Sequence, residues 1–201
     1  MERNPLFKGG VQGVIVNNLI DNPGRKALHY GLIASEWTGH GYVNGQMAAV
    51  GNVLHFGPDS KDGMALVMVG GDGPLELFLA DNLTRDRAGK PVEPFVITTK
   101  DSKTVGVKLL AASPVWPAGL KALAAADVKE SVLKNAGARP WDRDEVDQRI
   151  VRQVREGKGR IIDSQEQVGG YPRPAMTKRK LTVPTTGVDA WLATFSSGAK
   201  K

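Results

Sequence analysis

Three stretches of this chain end alike: VNNL at 16–19, VGNVL at 50–54 and LADNL at 79–83. Their last asparagines, Asn18, Asn52 and Asn82, stand 34 and 30 residues apart. Self-similarity at that period narrows the fold, because each repeat then acts as one unit that stacks on its neighbours. In stacked coils of parallel strand, equivalent asparagines superpose. A buried one can bond to its copies and to the backbone of the bend, pairing groups that burial would otherwise strand. In an ordinary antiparallel protein, Asn and Gly simply mark hairpin turns. The spacing alone leaves both architectures open.

The segments around the asparagines read as strands. GVIVNNLIDN (13–22), QMAAVGNVLHF (46–56), ALVMVG (65–70) and PLELFLADN (74–82) alternate or run apolar, each bounded by Gly, Asn, Asp or Pro. After residue 115 the texture becomes helical. PVWPAGLKALAAADVKESVLKNAG holds a D-x-x-E pair, Asp127 and Glu130, which predicts a helix start there, with Val128, Val132 and Leu133 apolar and Gly137 as the stop. A second helix is expected with Asp142 as its cap and Val146, Ile150, Val151 and Val154 as one stripe, closed by Gly157. Both are expected to lie against something else. Three regions follow: strand coils over 1–115, helices and a packing segment over 116–172, and a basic extended tail over 173–201, with Trp191 and Leu192 as its one possible anchor.

Composition excludes several functions. The 201 residues contain no cysteine, so neither disulfides nor thiolate chemistry are available. No run is long enough for a membrane span, and no signal-peptide layout opens the chain. The net charge of +6 is uneven: residues 1–100 carry nine Lys/Arg against ten Asp/Glu, and residues 101–201 carry eighteen against eleven. Much of the excess sits in TKRK at 177–180 and the final KK, without the interleaved aromatics of a nucleic-acid binder. GGDGP lacks the Lys-Ser/Thr of a phosphate loop, and His29, His40 and His55 are scattered. DSQEQ at 163–167 reads as a solvated loop.

The order of four segments is informative. ERNPLFKGG with GVIVNNLIDNPG, then AAVGNVLHFGPDS, then GARPWDRDEVDQRIV, then GRIIDSQEQVGGYP together resemble the C-terminal half of bacterial pectate lyases of polysaccharide lyase family 1. The likeness runs from residue 2 to about 172. It implies a mainly β fold, a right-handed parallel β-helix with C-terminal amphipathic helices, and a structural ladder at Asn18, Asn52 and Asn82. In that family the Arg-Pro motif lies well inside the chain, so Met1 is expected to begin a fragment.

The resemblance also implies a chemistry. Such enzymes cleave de-esterified homogalacturonan by removing the C5 proton beside a uronate carboxylate, after which the C4–O bond breaks. A bridging Ca²⁺ offsets the enolate-like charge. By the motif, Arg3 would be the base, Pro5 would fix the backbone and Lys8 would hold a substrate carboxylate. Lys8 stands where the family usually has arginine, which removes a bidentate fork. A guanidinium pKa of about 12.5 or higher must fall locally for Arg3 to act. The Ca²⁺ ligands are expected upstream of residue 1, so the chain alone would lack turnover. The resemblance further implies a polygalacturonate partner, a monomeric parent and a secreted or periplasmic location. A non-catalytic carbohydrate-binding protein, or a partner that completes a split β-helix, is the alternative; a nucleic-acid module would rest on the tail alone.

Overall fold

The computed structural model describes residues 4–94, 96–98, 106–173, 175 and 180–197. The fold is mixed α/β and mostly strand, with parallel sheets and, among the described residues, three α-helices. The chain divides into two compact units, residues 1–163 and 164–201.

In the first unit, strands come in threes: β1 (Leu6–Lys8), β2 (Gln12–Val16) and β3 (Leu19–Asp21); β4 (Leu28–Leu32), β5 (Gly45–Val50) and β6 (Val53–His55); β7 (Val67–Gly71), β8 (Leu75–Ala80) and β9 (Leu83–Arg85). The short strands β10 (Pro91–Val92), β11 (Val96–Thr98) and β12 (Val107–Leu109) follow. Consecutive strands join different sheets, except β9 and β10, in the orders β1-β4-β7-β11, β2-β5-β8-β12 and β3-β6-β9-β10. Every pair is parallel except β10 on β9. Parallel pairing across some 30 residues rules out hairpin turns as the reason for the Asn and Gly pattern, since a two-residue turn can only join antiparallel neighbours.

Period-two alternation decides what is buried. Tyr30 lies opposite Val69, Met47 opposite Leu77, and Ile20 opposite Leu54. These residues form one apolar cluster together with Leu28, Leu32, Val67 and Leu75. Tyr30 is fully buried, and burial raises its phenol pKa above the ordinary value, partly offset by the N–H of Gly45 that it accepts at 3.1 Å.

The bends are set by local chemistry. Between β2 and β3, β5 and β6, and β8 and β9 stand two residues each, and the first of each pair is left-handed: Asn17 at φ 56°, Gly51 at φ 64° and Asp81 at φ 46°. Glycine adopts that region freely, and Asn and Asp tolerate it because their short polar side chains bond locally. The second residue of each pair is the repeated asparagine.

Helix α1 (Ala125–Asn135) covers the outer face of the third sheet, where Ala125 and Val128 pack with Val53 and with half-buried Leu19, Leu83 and Val132. Its start differs from the Asp127–Glu130 expectation. The helix begins at Ala125, its N-cap Ala124 has no side-chain bond, and the Asp81 carboxylate accepts the Ala125 N–H at 2.8 Å. The cap comes from a strand bend 44 residues away, which a local signature cannot reveal. Helix α2 (Glu145–Glu156) is capped by Asp144, accepting from Asp147 N–H at 2.9 Å, and not by Asp142, which pairs with Arg139. It closes at Gly157 in the left-handed region, but none of its residues is buried, and Ile150 is 46% exposed.

After α2 the chain returns to the strands. Asn22 donates to the Gly159 carbonyl, and the Asp59 carboxylate accepts from Asn22 (2.9 Å), Ile161 N–H (2.7 Å) and Arg160 (2.9 Å). The second unit, described by itself, holds a 3-10 turn, Gln165–Val168, capped by Ser164, within the stretch expected as a loop. The tail expected to be extended contains a helix, α3 (Val188–Ser197), in which Trp191 and Phe195 meet edge to face at 5.0 Å. Apolar residues at 188, 191, 192 and 195 follow helical spacing, which overrides the Gly- and Lys-rich flanks.

Candidate functional site

Of the residues expected to carry chemistry, Pro5 precedes β1, the first strand of its sheet, and Lys8 ends it. Arg3, expected as the base, lies outside the described residues, as does most of the basic TKRK run. Asn4 and Pro5 anchor the entry to β1: the Asn4 amide donates to the Lys26 carbonyl at 2.9 Å, and the Pro5 carbonyl accepts the His29 N–H at 3.0 Å. Pro5 therefore ties this segment to the neighbouring strand.

Lys8 ends β1, and its register partners are glycines, Gly31 on β4 and then Gly70 on β7. Neither glycine adds a side chain to the row beyond its ammonium. Lys8 pairs with Glu36 at 2.5 Å, both side chains about half exposed at 42% and 48%. Glu36 belongs to the loop after β4, whose 3-10 turn spans Ala34–Trp37.

That loop is fixed at several points. The Asp72 carboxylate accepts the Ala34 N–H at 2.8 Å, and the Asp72 N–H donates to the Leu32 carbonyl. Gly71, at φ 90°, allows this approach: a Cβ there would lie 1.8 Å from the Leu32 oxygen, so no other residue fits. Trp37 lies against Gly10, where a Cβ would come within 2.9 Å of its ring, and meets Tyr42 edge to face at 6.4 Å. Tyr42 is 52% exposed. An ammonium, a carboxylate and an exposed aromatic thus share one strand end. Such a set suits a polar, ring-bearing ligand with a negative group, since aromatic faces take sugar C–H surfaces while the cation takes the charge.

Glu36, Trp37, Tyr42 and Asp72 were not singled out in the sequence. The run SEWTGHGY carries a signal in hindsight, aromatics interleaved with glycine in a loop too polar for a strand. Among the described residues no group of three or more His, Asp or Glu could hold a metal ion. Glu36 is already engaged by Lys8.

Asn18, Asn52 and Asn82 lie one above the other, away from this cluster. The Asn52 Oδ1 accepts the backbone and side-chain N–H of Asn18 at 3.1 and 3.0 Å, and the Asn82 Oδ1 does the same for Asn52, both at 3.0 Å. Each lower asparagine also donates upward, Asn52 to the Ile15 carbonyl and Asn82 to the Ala49 carbonyl, both at 2.8 Å. No protein-family model, curated protein or solved structure matches this chain.

Proposed function

We propose that this chain is the C-terminal part of a right-handed parallel β-helix of pectate-lyase type, whose β1 end handles de-esterified homogalacturonan. The observation that carries the reading is the union of two features. Pro5 leads directly into the edge strand of a stack of parallel sheets. The cation at that strand's end already holds a carboxylate. Three sheets fed in rotation, with asparagines bonded in register at each bend, support the coiled-stack geometry such a reading needs.

In this reading Arg3 removes the C5 proton, and Lys8 exchanges Glu36 for the uronate carboxylate, fixing the sugar by charge alone because an ammonium lacks the planar fork of arginine. Tyr42 offers a face to a neighbouring ring. Calcium, when bound, would supply a Lewis acid, with the ligands this reading gives it in coils ahead of Arg3.

Binding without turnover is the second reading, favoured by the Lys8–Glu36 pair, which leaves the cation satisfied in the absence of sugar. Titration with polygalacturonate and with fully methyl-esterified pectin tests both. Preference for the charged polymer, lost in Lys8→Ala, is the expected result for either; equal affinity for the two polymers ends both. Ultraviolet absorbance of the unsaturated product then separates them. Elimination is expected only in a polypeptide with carboxylate-bearing coils ahead of Arg3, and Arg3→Lys is expected to abolish it there with binding retained.

A further inference from the structure

The second unit carries an apolar face that stays open to solvent. Helix α3 starts after Gly187, which stands in the left-handed region at φ 67° and whose carbonyl accepts the Trp191 N–H at 3.0 Å. Val188, Trp191, Leu192 and Phe195 stand at i, i+3, i+4 and i+7, so they share one stripe, while Ala190, Ala193 and Thr194 lie on the other side. A stripe of this kind that faced a core would be buried. Here Leu192 is 52% and Phe195 61% exposed, and Val188 is exposed with them.

The flanks of this stripe are basic. Lys180, Leu181 and Thr182 line a cleft of about 370 Å³ together with Trp191 and Phe195, so a cation stands beside the aromatic pair. Leu181 and Val183 of the same segment are exposed too. In sequence, Lys178 and Arg179 precede Lys180, and Lys200 and Lys201 follow the helix. Residues 164–201 hold six Lys/Arg against two acids, whereas residues 1–163 hold twenty-one against nineteen. The basic excess therefore gathers in the unit that bears the exposed stripe.

Charge and shape decide among occupants. The first unit is nearly balanced in charge and a second copy repeats the same cations, so neither supplies the negative excess that the flanks call for. A charged sugar polymer would supply it, but sugar rings stack on flat aromatic faces and bond through their hydroxyls. Trp191 and Phe195 meet at 85°, and Val188 and Leu192 add aliphatic surface with no polar group. An anionic bilayer answers both parts: its headgroups take the Lys/Arg, and the acyl boundary takes Trp, Phe, Leu and Val. Ten residues rise about 15 Å, half the hydrocarbon thickness of about 30 Å, so α3 would lie in the surface and not cross it.

We propose that α3 and the basic segment before it form an interfacial anchor for anionic phospholipid membranes. The stripe of Val188, Trp191, Leu192 and Phe195 enters the headgroup boundary, and Lys178, Arg179 and Lys180 hold lipid phosphates. Nothing in this inference depends on pectate or on Arg3.

Co-sedimentation of the intact protein with phosphatidylcholine vesicles, with and without added phosphatidylglycerol, tests this. Partition into the anionic vesicles is expected to be roughly tenfold stronger or more, and to fall as salt is raised. Leu192→Ser combined with Phe195→Ser, both at exposed sites, should lose binding to either vesicle. Replacing Lys178, Arg179 and Lys180 by glutamine should remove only the preference for the anionic one. Emission should shift to the blue on anionic vesicles in the wild type and not in Trp191→Phe. Equal partition into the two vesicles, or wild-type partition in the double serine variant, overturns the proposal. So does a lowered melting temperature or a lost dimer in that variant without vesicles, which would set the stripe against protein. Retention on polygalacturonate that the same variant loses would assign the stripe to sugar and overturn it as well.

Discussion

Asn52 Oδ1 takes both N–H donors of Asn18, and it does so with its own residue wholly out of water. That makes Asn52 the middle rung on which both neighbours depend. Asn52→Ala leaves the Asn18 N–H, the Ile15 carbonyl and the Asn82 Oδ1 short of a partner. Leaving buried groups unpaired costs about 1–3 kcal/mol each, so a total loss near 3 kcal/mol is expected after partial relaxation. Asn18→Ala, at the exposed end, should cost under about 1 kcal/mol. Urea midpoints of the two variants check this; equal losses would mean that the rungs are not coupled to burial.

The bend residues before each rung hold α1. Asn17 donates to the Leu123 carbonyl at 2.9 Å and accepts the Leu123 N–H at 2.8 Å, Gly51 lies beneath, and Asp81 caps Ala125. A Cβ on Gly51 would stand 2.4 Å from Asn17 Nδ2 and 2.9 Å from the Leu123 oxygen. Gly51→Ala should therefore cost more than the roughly 1–2 kcal/mol of left-handed backbone alone. Asp81→Ala should cost about 1 kcal/mol, as a lost cap does, and speed amide exchange at Ala125. Unchanged exchange at Ala125 would show that α1 is held by Val128 and its apolar neighbours instead.

Asp59 gives the fold an acid-sensitive clasp. The Asn22 amide, then the Ile161 N–H and the Arg160 charge, hold its carboxyl below the usual carboxylate range, against a smaller opposing effect of burial. A depressed pKa in the folded state means that the stabilisation is present above the unfolded value of about 3.9 and disappears as pH falls through the folded one. Melting temperature followed from pH 6 downward should thus drop faster below about pH 4 in the wild type than in Asp59→Asn. Parallel curves would remove Asp59 as the source. Glu76, lowered by the Gln46 amide and then by Lys108, responds in the same direction, so Glu76→Gln serves as the second arm.

What could be read from the chain follows from how local each cause is. The asparagine period is visible because the ladder places one residue type at each of three equivalent bends, and the residue before it has to tolerate a left-handed backbone, hence Asn17, Gly51 and Asp81. Strand β4 was not visible. LHYGL lacks alternation, since Leu28, Tyr30, Gly31 and Leu32 are all buried. The start of α1 differs because its cap comes from elsewhere, Asp81 for Ala125, whereas α2 takes the nearer of two local aspartates, Asp144. At the candidate site, Lys8 emerged through family resemblance, but its partner Glu36 lies in a loop after another strand, and only the parallel register of β1 on β4 brings the two together.

The Lys8–Glu36 pair makes a prediction of its own, on the reading that this strand end takes uronate. Both side chains are about half exposed, so solvent screens the pair and its worth is small, about 1 kcal/mol or less. Sugar binding nonetheless competes with it, because the Glu36 carboxylate offsets the ammonium charge and repels a second carboxylate beside it. Removing the Glu36 charge frees the cation without touching it. Glu36→Gln should therefore bind polygalacturonate about two- to fivefold more tightly than the wild type, Lys8→Ala more weakly, and the double variant no better than Lys8→Ala. Isothermal titration at low salt measures all four proteins, and raising the salt should narrow the differences. If Glu36→Gln gains affinity even in the Lys8→Ala background, the effect is general relief of negative charge, and Lys8 is not the group that receives the uronate.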